Sequence, residues 1–347
     1  MAFQHSGLLV TIKELFSFPR KLKPYCDRNN CMDISLKNKN IATPRSTFIY
    51  LGVLGLLTPL ISRFLADSDN TLIWLIDLAA NLQWFHLGIL VLGIAMSLRH
   101  SRRFLLAIVF IPLPWLTAAE KAPGNVNNGP ELTIASANIN FKNQDTDRLV
   151  SWIRKHKADI VVLLELSHDQ ALKVTTLKEY PFQQVNPDNS PFGIGVLSKL
   201  PFAAVTVDWN NGSSLKLPTV EIIAEWDTRL IKVVAFHPMP PIAPEYHLAR
   251  NRKLKEIVNE SKQSGLPTVI AGDFNATPWS SALFNIDYKR ATGIQSTWPM
   301  QHFGIPVDQV LISEHWQVSE SQVGTDIGSD HLPVISRVSL IRELTQK

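Results

Sequence analysis

Three apolar runs, residues 47–66, 72–98 and 104–119, limit what this 347-residue chain can fold into more than any other feature. One helical crossing of a bilayer core takes about 20 consecutive apolar residues. The first two runs meet that length; the third is short and is broken by Pro112 and Pro114. Arg63 in the first and Asp77 in the second are their only charges. A buried helical hairpin of a soluble protein would read similarly. Closely spaced, nearly uncharged runs joined by very short polar links favour membrane spans.

Flanking charge orients the runs. Residues 1–46 are basic, the link 67–70 holds no Lys or Arg, and the link 99–103 holds Arg99, Arg102 and Arg103. The positive-inside rule therefore puts the tail and second link in the cytoplasm and the first link outside. Three crossings would leave everything after residue 120 on the periplasmic, extracytoplasmic side of the inner membrane. A third run that only dips into the bilayer would leave it cytoplasmic. Asp77 lies near one end of its run and is expected to be an interfacial residue.

The charge balance divides at the same place. Residues 1–130 carry 13 Lys and Arg against 7 Asp and Glu, net +6, and the remainder is net −2. The high overall pI is thus no evidence for a nucleic-acid surface on the later part. Cys26 and Cys31 stand without a second pair or a nearby His, which argues against a zinc site; a disulfide is the alternative to the expected two ordinary thiols in the reducing cytoplasm.

Residues 120–130, dense in Gly, Asn and Pro, read as a linker. From residue 131 to 347 short strand-like runs alternate with a few helical ones. About ten strands with short connections imply mixed pairing. The expected class is α/β: a four-layer sandwich of two packed mixed β-sheets flanked by helices, preceded by the transmembrane helical region.

Polar residues recur at the carboxyl ends of these strands, where α/β folds gather their sites. Pro267-Thr-Val-Ile-Ala-Gly-Asp-Phe-Asn275 reads as a buried strand that ends in Asp273 and Asn275. Two residues apart, these side chains point the same way and can act on one atom; a plain strand-to-helix turn would use the same residues. Asn138 and Asn140 end the first strand, Glu165 ends Asp159-Ile-Val-Val-Leu-Leu-Glu165, and His237 ends Val233-Val-Ala-Phe-His237. Asp308 opens a later strand, and Asp330-His331 follow near the end. Glu and Asn donors without Cys suit Mg²⁺ or Mn²⁺. A carboxylate beside a His can hold it charged. A metal, two histidines and amide donors around one phosphorus make a phosphoryl-transfer site.

Ala135-Ser-Ala-Asn-Ile-Asn140, Asp159 to Glu165, Gly272-Asp-Phe-Asn-Ala276, Val307-Asp-Gln-Val310 and Ser329-Asp-His-Leu-Pro333 stand in one order along the chain. Together they resemble the motifs of the endonuclease/exonuclease/phosphatase (deoxyribonuclease I-like) family, of the bacterial membrane-anchored type. The resemblance implies a metal-dependent phosphoester hydrolase. It implies a metal at Glu165 and Asn138 with Asp330, and Asp273 aligning or deprotonating the attacking water. Asn275, His237 and Arg250 would meet the substrate phosphate. Asp330 would orient His331, which stabilises the pentacovalent state, and Asp308 would complete the polar ring. Asn140 stands where some members have Asp. The expected substrate is a phosphate ester (nucleic acid, lipid or small phosphoester), nuclease-like first, with a lipid or inositol-phosphate esterase as the alternative. A silent scaffold on the same fold is the second alternative. The bilayer is the implied partner, and no obligate protein partner is implied.

Overall fold

A computed structural model describes residues 44–64, 70–98, 102–124, 129–210, 215–284, 286–300 and 304–341. Most of the basic tail, both cysteines, most of the 67–70 link and residues 99–101 lie outside the described residues.

The helical region comes first: α1 (Pro44–Phe64), α2 (Thr71–Ala80), α3 (Gln83–Ser97), a 3₁₀ stretch (Arg102–Phe110) and the short α4 (Leu113–Thr117). Helix α1 is the one helix among the described residues long and apolar enough to cross a membrane by itself; 21 residues rise about 31 Å. It packs along α3 at backbone distance, because a Cβ on Gly52 would lie 2.7 Å from Leu90 and one on Gly93 2.8 Å from Ile49. Small residues permit this close approach, as in membrane helix pairs.

The second run is not one straight helix. It breaks at Asn81 and Leu82, and α2 and α3 are bent by 70°. The break has a cause outside the run. Asn81 Nδ2 donates to the Asp77 carbonyl, while its Oδ1 accepts from the Thr277 backbone N–H and hydroxyl. The third run also departs from the expected span. Its apolar helical part, Leu105–Thr117, is too short to cross alone.

Twelve strands and three helices follow: β1 (Leu132–Asn138), α5 (Thr146–His156), β2 (Ile160–Leu164), α6 (His168–Val174), β3 (Phe182–Asn186), β4 (Ile194–Ser198), β5 (Phe202–Asp208), β6 (Thr219–Trp226), β7 (Arg229–Ala235), α7 (Pro244–Ser264), β8 (Thr268–Asp273), β9 (Lys289–Arg290), β10 (Asp308–Ile312), β11 (Trp316–Val323) and β12 (Val334–Leu340). They form two six-stranded sheets, ordered β11-β12-β1-β2-β4-β3 and β5-β6-β7-β8-β10-β9. Both are mixed, with β1–β2 and β7–β8 parallel and the other pairs antiparallel. The expected sandwich is observed. The edge strands β3 and β9 escape a sequence reading, since neither has a buried apolar run.

The central strands are apolar on both faces because both faces are covered. Ile134, Ile160, Val162, Val233, Val269 and Val310 fill the space between the sheets. Ala135, Val161 and Leu163 face the outer layer that holds Leu149, Trp152 and Val174 of α5 and α6. Ile270 and Leu311 meet Leu254, Ile257 and Val258 of α7. Helix α7 starts at Pro244, which needs no amide partner there, and stops at Gly265 in the left-handed region (φ 66°).

The segment read as a free linker is fastened at its described start. Ala119 N–H donates to the Pro278 carbonyl, Ala122 N–H to that of Arg290, and the Arg290 guanidinium to that of Ala119.

Candidate active site

The site forms where the carboxyl ends of the central strands of both sheets meet. Asn138 is the last residue of β1, and its parallel partner Leu164 is followed at once by Glu165. In the other sheet Asp273 ends β8 directly opposite Asp308, which begins β10. Three residues of this rim, Asn140 (φ 54°), Glu165 (φ 56°) and Asn275 (φ 47°), are in the left-handed region. That conformation is costly for residues other than glycine, and it re-aims each side chain as its strand ends. Gly272 allows the closest approach. A Cβ there would lie 1.9 Å from the Phe236 carbonyl oxygen. With only hydrogen at that position, β8 runs against the end of β7 and brings Asp273 beside His237, with Oδ2 3.7 Å from Nε2.

Asp273 is fully buried at the centre of the cluster. Its Oδ1 accepts from the Asn275 backbone N–H at 2.8 Å. Its Oδ2 accepts from Asn138 Nδ2 at 3.2 Å and lies 3.8 Å from His331 Nε2. Burial pushes the Asp273 carboxyl above its ordinary value; the charges of His331 and His237 oppose that rise. Asn138 Nδ2 also donates to Glu165 Oε1 at 2.9 Å. The Asn275 amide donates to the Pro238 carbonyl.

His331 is oriented by Asp308, and not by its neighbour Asp330 as the motif suggested. Nδ1 of His331 lies 2.9 Å from Asp308 Oδ2. The carboxylate of Asp330 instead accepts from Asn140 Nδ2 and Trp298 Nε1. Burial works against the imidazolium, but Asp308 and Asp273 outweigh it and raise His331 from 6.5 to about 9. The ring is therefore charged at neutral pH.

The donor set fits a hard divalent cation. Asp273 and Asp308 offer carboxylate oxygens within 4.8 Å of one another and of a His331 ring nitrogen; with that ring charged, the oxygens and not the nitrogen are the donors. Asp308 Oδ1 is buried with no hydrogen-bond partner among the described residues, so this carboxylate keeps unused acceptor capacity. Glu165 lines the same cleft and keeps Oε2 beyond its contact with Asn138. Of the expected metal set, Glu165 and Asn138 are hydrogen-bonded to each other, and Asp330 lines the same cleft with its carboxylate accepting from Asn140 and Trp298.

Arg250 does not reach the cleft. It is 1% exposed, and its guanidinium donates to Asp77 Oδ2, Ser280 Oγ, the Asn275 carbonyl and Asn251 Oδ1. The phosphate contact expected of it is replaced by a structural one, because Asp77 of α2 reaches into the sandwich. Asp77 is 0% exposed. It accepts from Ser62 Oγ, Ser280 Oγ and the Ser281 N–H, and lies 3.1 Å from His247 Nε2. The expected interfacial residue is thus an interior one. The single acidic residue in an apolar run was the available signal; its partner about 170 positions away left none.

The cleft above these residues has a volume of about 730 Å³. Its floor is Glu165, His237, Asp273, Asn275, Asp330 and His331, and Trp74, Leu78, Asn81 and Leu82 of the helical region line one side. A larger cleft of about 870 Å³, by Lys262, Tyr288 and His315, holds none of the strand-end residues.

Comparison with known proteins agrees with this geometry. Residues 135–331 match the Endonuclease/Exonuclease/phosphatase family. Among solved structures, the human Nocturnin catalytic domain with bound sulfate is similar at a TM-score of 0.53 and 17% identity, over 62% of this chain and 97% of that one. A D. rerio TDP2 humanized by 14 mutations is similar at 0.52 and 15%, over 60% and 99%. An endonuclease/exonuclease/phosphatase from Bacteroides vulgatus is similar at 0.51 and 18%, over 61% and 100%. No curated protein matches the chain. The matched residues include every strand end that builds the site, and the chain belongs to the Endonuclease/Exonuclease/phosphatase family.

Proposed function

We propose that this chain is a membrane-anchored, divalent-metal-dependent phosphoesterase that hydrolyses a phosphodiester or phosphomonoester by in-line attack of water. The carrying observation is the buried row Asp308–His331–Asp273, of which His331 and Asp273 line the floor of an open cleft. Asp273 Oδ1 is held by the Asn275 N–H at 2.8 Å, and Oδ2, with the longer contact of 3.2 Å to the Asn138 amide and the two histidines beyond it, aligns the water and takes its proton. Burial raises the proton affinity of Asp273 and so favours that transfer. His331, locked by Asp308 through Nδ1, turns Nε2 as a charged donor toward the oxygens on which negative charge develops. His237 and Asn275 flank Asp273 and face the phosphate and its leaving group. A divalent cation, Mg²⁺ or Mn²⁺ by its oxygen donors, held by Glu165 and Asn138, would supply Lewis-acid charge to the phosphate.

The anchor is residues 47–119 and the catalytic domain residues 131–347. Ser62, near the carboxyl end of α1, donates to Asp77, which in turn meets α7 of the domain. The domain therefore abuts that end of α1. With the basic tail in the cytoplasm, this end and the domain are extracytoplasmic.

The test is hydrolysis of bis(4-nitrophenyl) phosphate and 4-nitrophenyl phosphate by the full chain in detergent, with Mg²⁺ or chelator. Metal-dependent turnover of either ester, lost in Asp273→Asn, is expected. No turnover together with no Mg²⁺ binding by calorimetry would replace this reading with a silent scaffold.

A further inference from the structure

We propose that the substrate is an amphiphile, a phosphoester carrying a long apolar chain that lies on helix α2 and enters the active site from the lipid side. The inference rests on the phosphoesterase reading above and names the substrate class of that same site.

The first observation is the two-faced cleft. Its floor is polar, and its walls are Trp74, Leu78 and Leu82 on one side and Met239, Pro240 and Ile242 on the other. Leu82 is 42% exposed and Ile242 66% exposed, so both present apolar surface at the rim. Such surface is costly in water unless something apolar covers it.

The second observation is continuity. Leu82 sits at the break between α2 and α3, and Leu72, Leu75 and Phe85 add exposed apolar surface on the same two helices. A chain lying along this surface has its headgroup end at the cleft.

The third observation is charge. Among the described residues that line the cleft there is no Lys or Arg. The arginine nearest in sequence expectation, Arg250, is buried and paired with Asp77. A polyanionic nucleic acid is bound chiefly through cationic contacts to its phosphates, and beyond the histidines of the floor the described lining residues supply no Lys or Arg for them. A single phosphate with an apolar tail needs only the floor.

The wall is a fixed part of the site. Trp74 Nε1 donates to the Pro241 carbonyl, so both sides of the cleft are tied together, and Thr277 donates to Asn81 beneath them. Each methylene buried on such a wall is worth about fourfold in affinity.

The experiment compares methyl 4-nitrophenyl phosphate with dodecyl 4-nitrophenyl phosphate, using the full chain in lipid nanodiscs with Mg²⁺. A single-stranded oligodeoxynucleotide and phosphatidylglycerol nanodiscs are run beside them. The dodecyl ester should exceed the methyl ester at least tenfold in kcat/KM, and the phospholipid should be turned over. In Leu82→Ser and Ile242→Ser, both at exposed positions that tolerate polar side chains, the dodecyl-to-methyl ratio should fall toward one. Equal rates on the two esters, a ratio unchanged in both variants, or faster cleavage of the oligonucleotide would overturn the amphiphile and leave the phosphoesterase standing. Chain preference without phospholipid turnover would keep the amphiphile and direct the search to single-chain phosphates. No hydrolysis of any phosphoester would remove both.

Discussion

Asp77→Asn is the perturbation that most directly probes how the helical region and the sandwich are joined. Asp77 Oδ2 accepts from Arg250 Nη2 at 3.1 Å and Ser280 Oγ at 2.9 Å, and Oδ1 accepts from Ser62 Oγ and the Ser281 N–H, each at 2.6 Å. Every one of these partners presents a hydrogen to the carboxylate. An asparagine of the same shape must turn its NH₂ toward some of them, and it leaves the guanidinium buried without a counter-charge. Removing one member of a buried pair costs about 3–5 kcal/mol. At about 2–4 °C per kcal/mol for a domain of this size, the midpoint should fall by roughly 6–20 °C. Activity should weaken before unfolding begins, because Arg250 Nη1 also holds the Asn275 carbonyl at 2.6 Å. The assay is near-ultraviolet circular dichroism melting of the full chain in one detergent, with turnover measured 15 °C below each midpoint. A midpoint within about 1 °C of wild type would refute the reasoning, for it would mean that the pair contributes nothing net.

Three further outcomes follow from the same geometry. His331 has a folded pKa of about 9 against an ordinary 6.5, so its contribution to stability is full below 6.5 and is lost as pH rises through about 9; in chelator the melting midpoint should fall over that window, less so in Asp308→Asn, and a flat profile would contradict the assigned pair. Gly272→Ala drives a Cβ into the Phe236 carbonyl and should cost at least about 1–3 kcal/mol in denaturant titration while lowering activity; wild-type values for both would show that β8 can move away. A chain beginning at residue 120 loses Asp77, Asn81 and the Pro114 carbonyl that accepts from Trp279 Nε1, and should melt well below the full chain or be recovered only as aggregate; a soluble piece with an unchanged midpoint would show that these contacts are dispensable.

Much of this molecule can be read from its sequence for local reasons. The strands β1, β2, β8 and β10 announce themselves as short buried runs because both faces of each are covered, and their last residues stand out because a polar side chain after such a run has nowhere to go but the rim. That logic placed Asn138, Glu165, His237, Asp273 and Asn275 as candidates, the motif resemblance added Asp308 and His331, and the fold gathers them. It failed where the partner is far along the chain. Asp330 and His331 are adjacent, yet the Asp330 carboxylate meets Asn140 and Trp298, and the pairing goes to Asp308, 23 positions away. Arg250 looked like a phosphate ligand because nothing local could show that Asp77 would neutralise it.

The apolar runs make the sharpest division. Composition alone determined that residues 47–119 would be helical and apolar, since a chain with so few charges must bury or embed them. Only the tertiary structure decided that the second run breaks at Asn81, that Asp77 enters the sandwich, and that Trp74, Leu78 and Leu82 become a wall of the cleft. Hydrophobicity is a sum over neighbouring residues and is written in the sequence. A hydrogen bond between Thr277 and Asn81 depends on where two distant backbones meet, and that is known only once both sheets and the helices have packed.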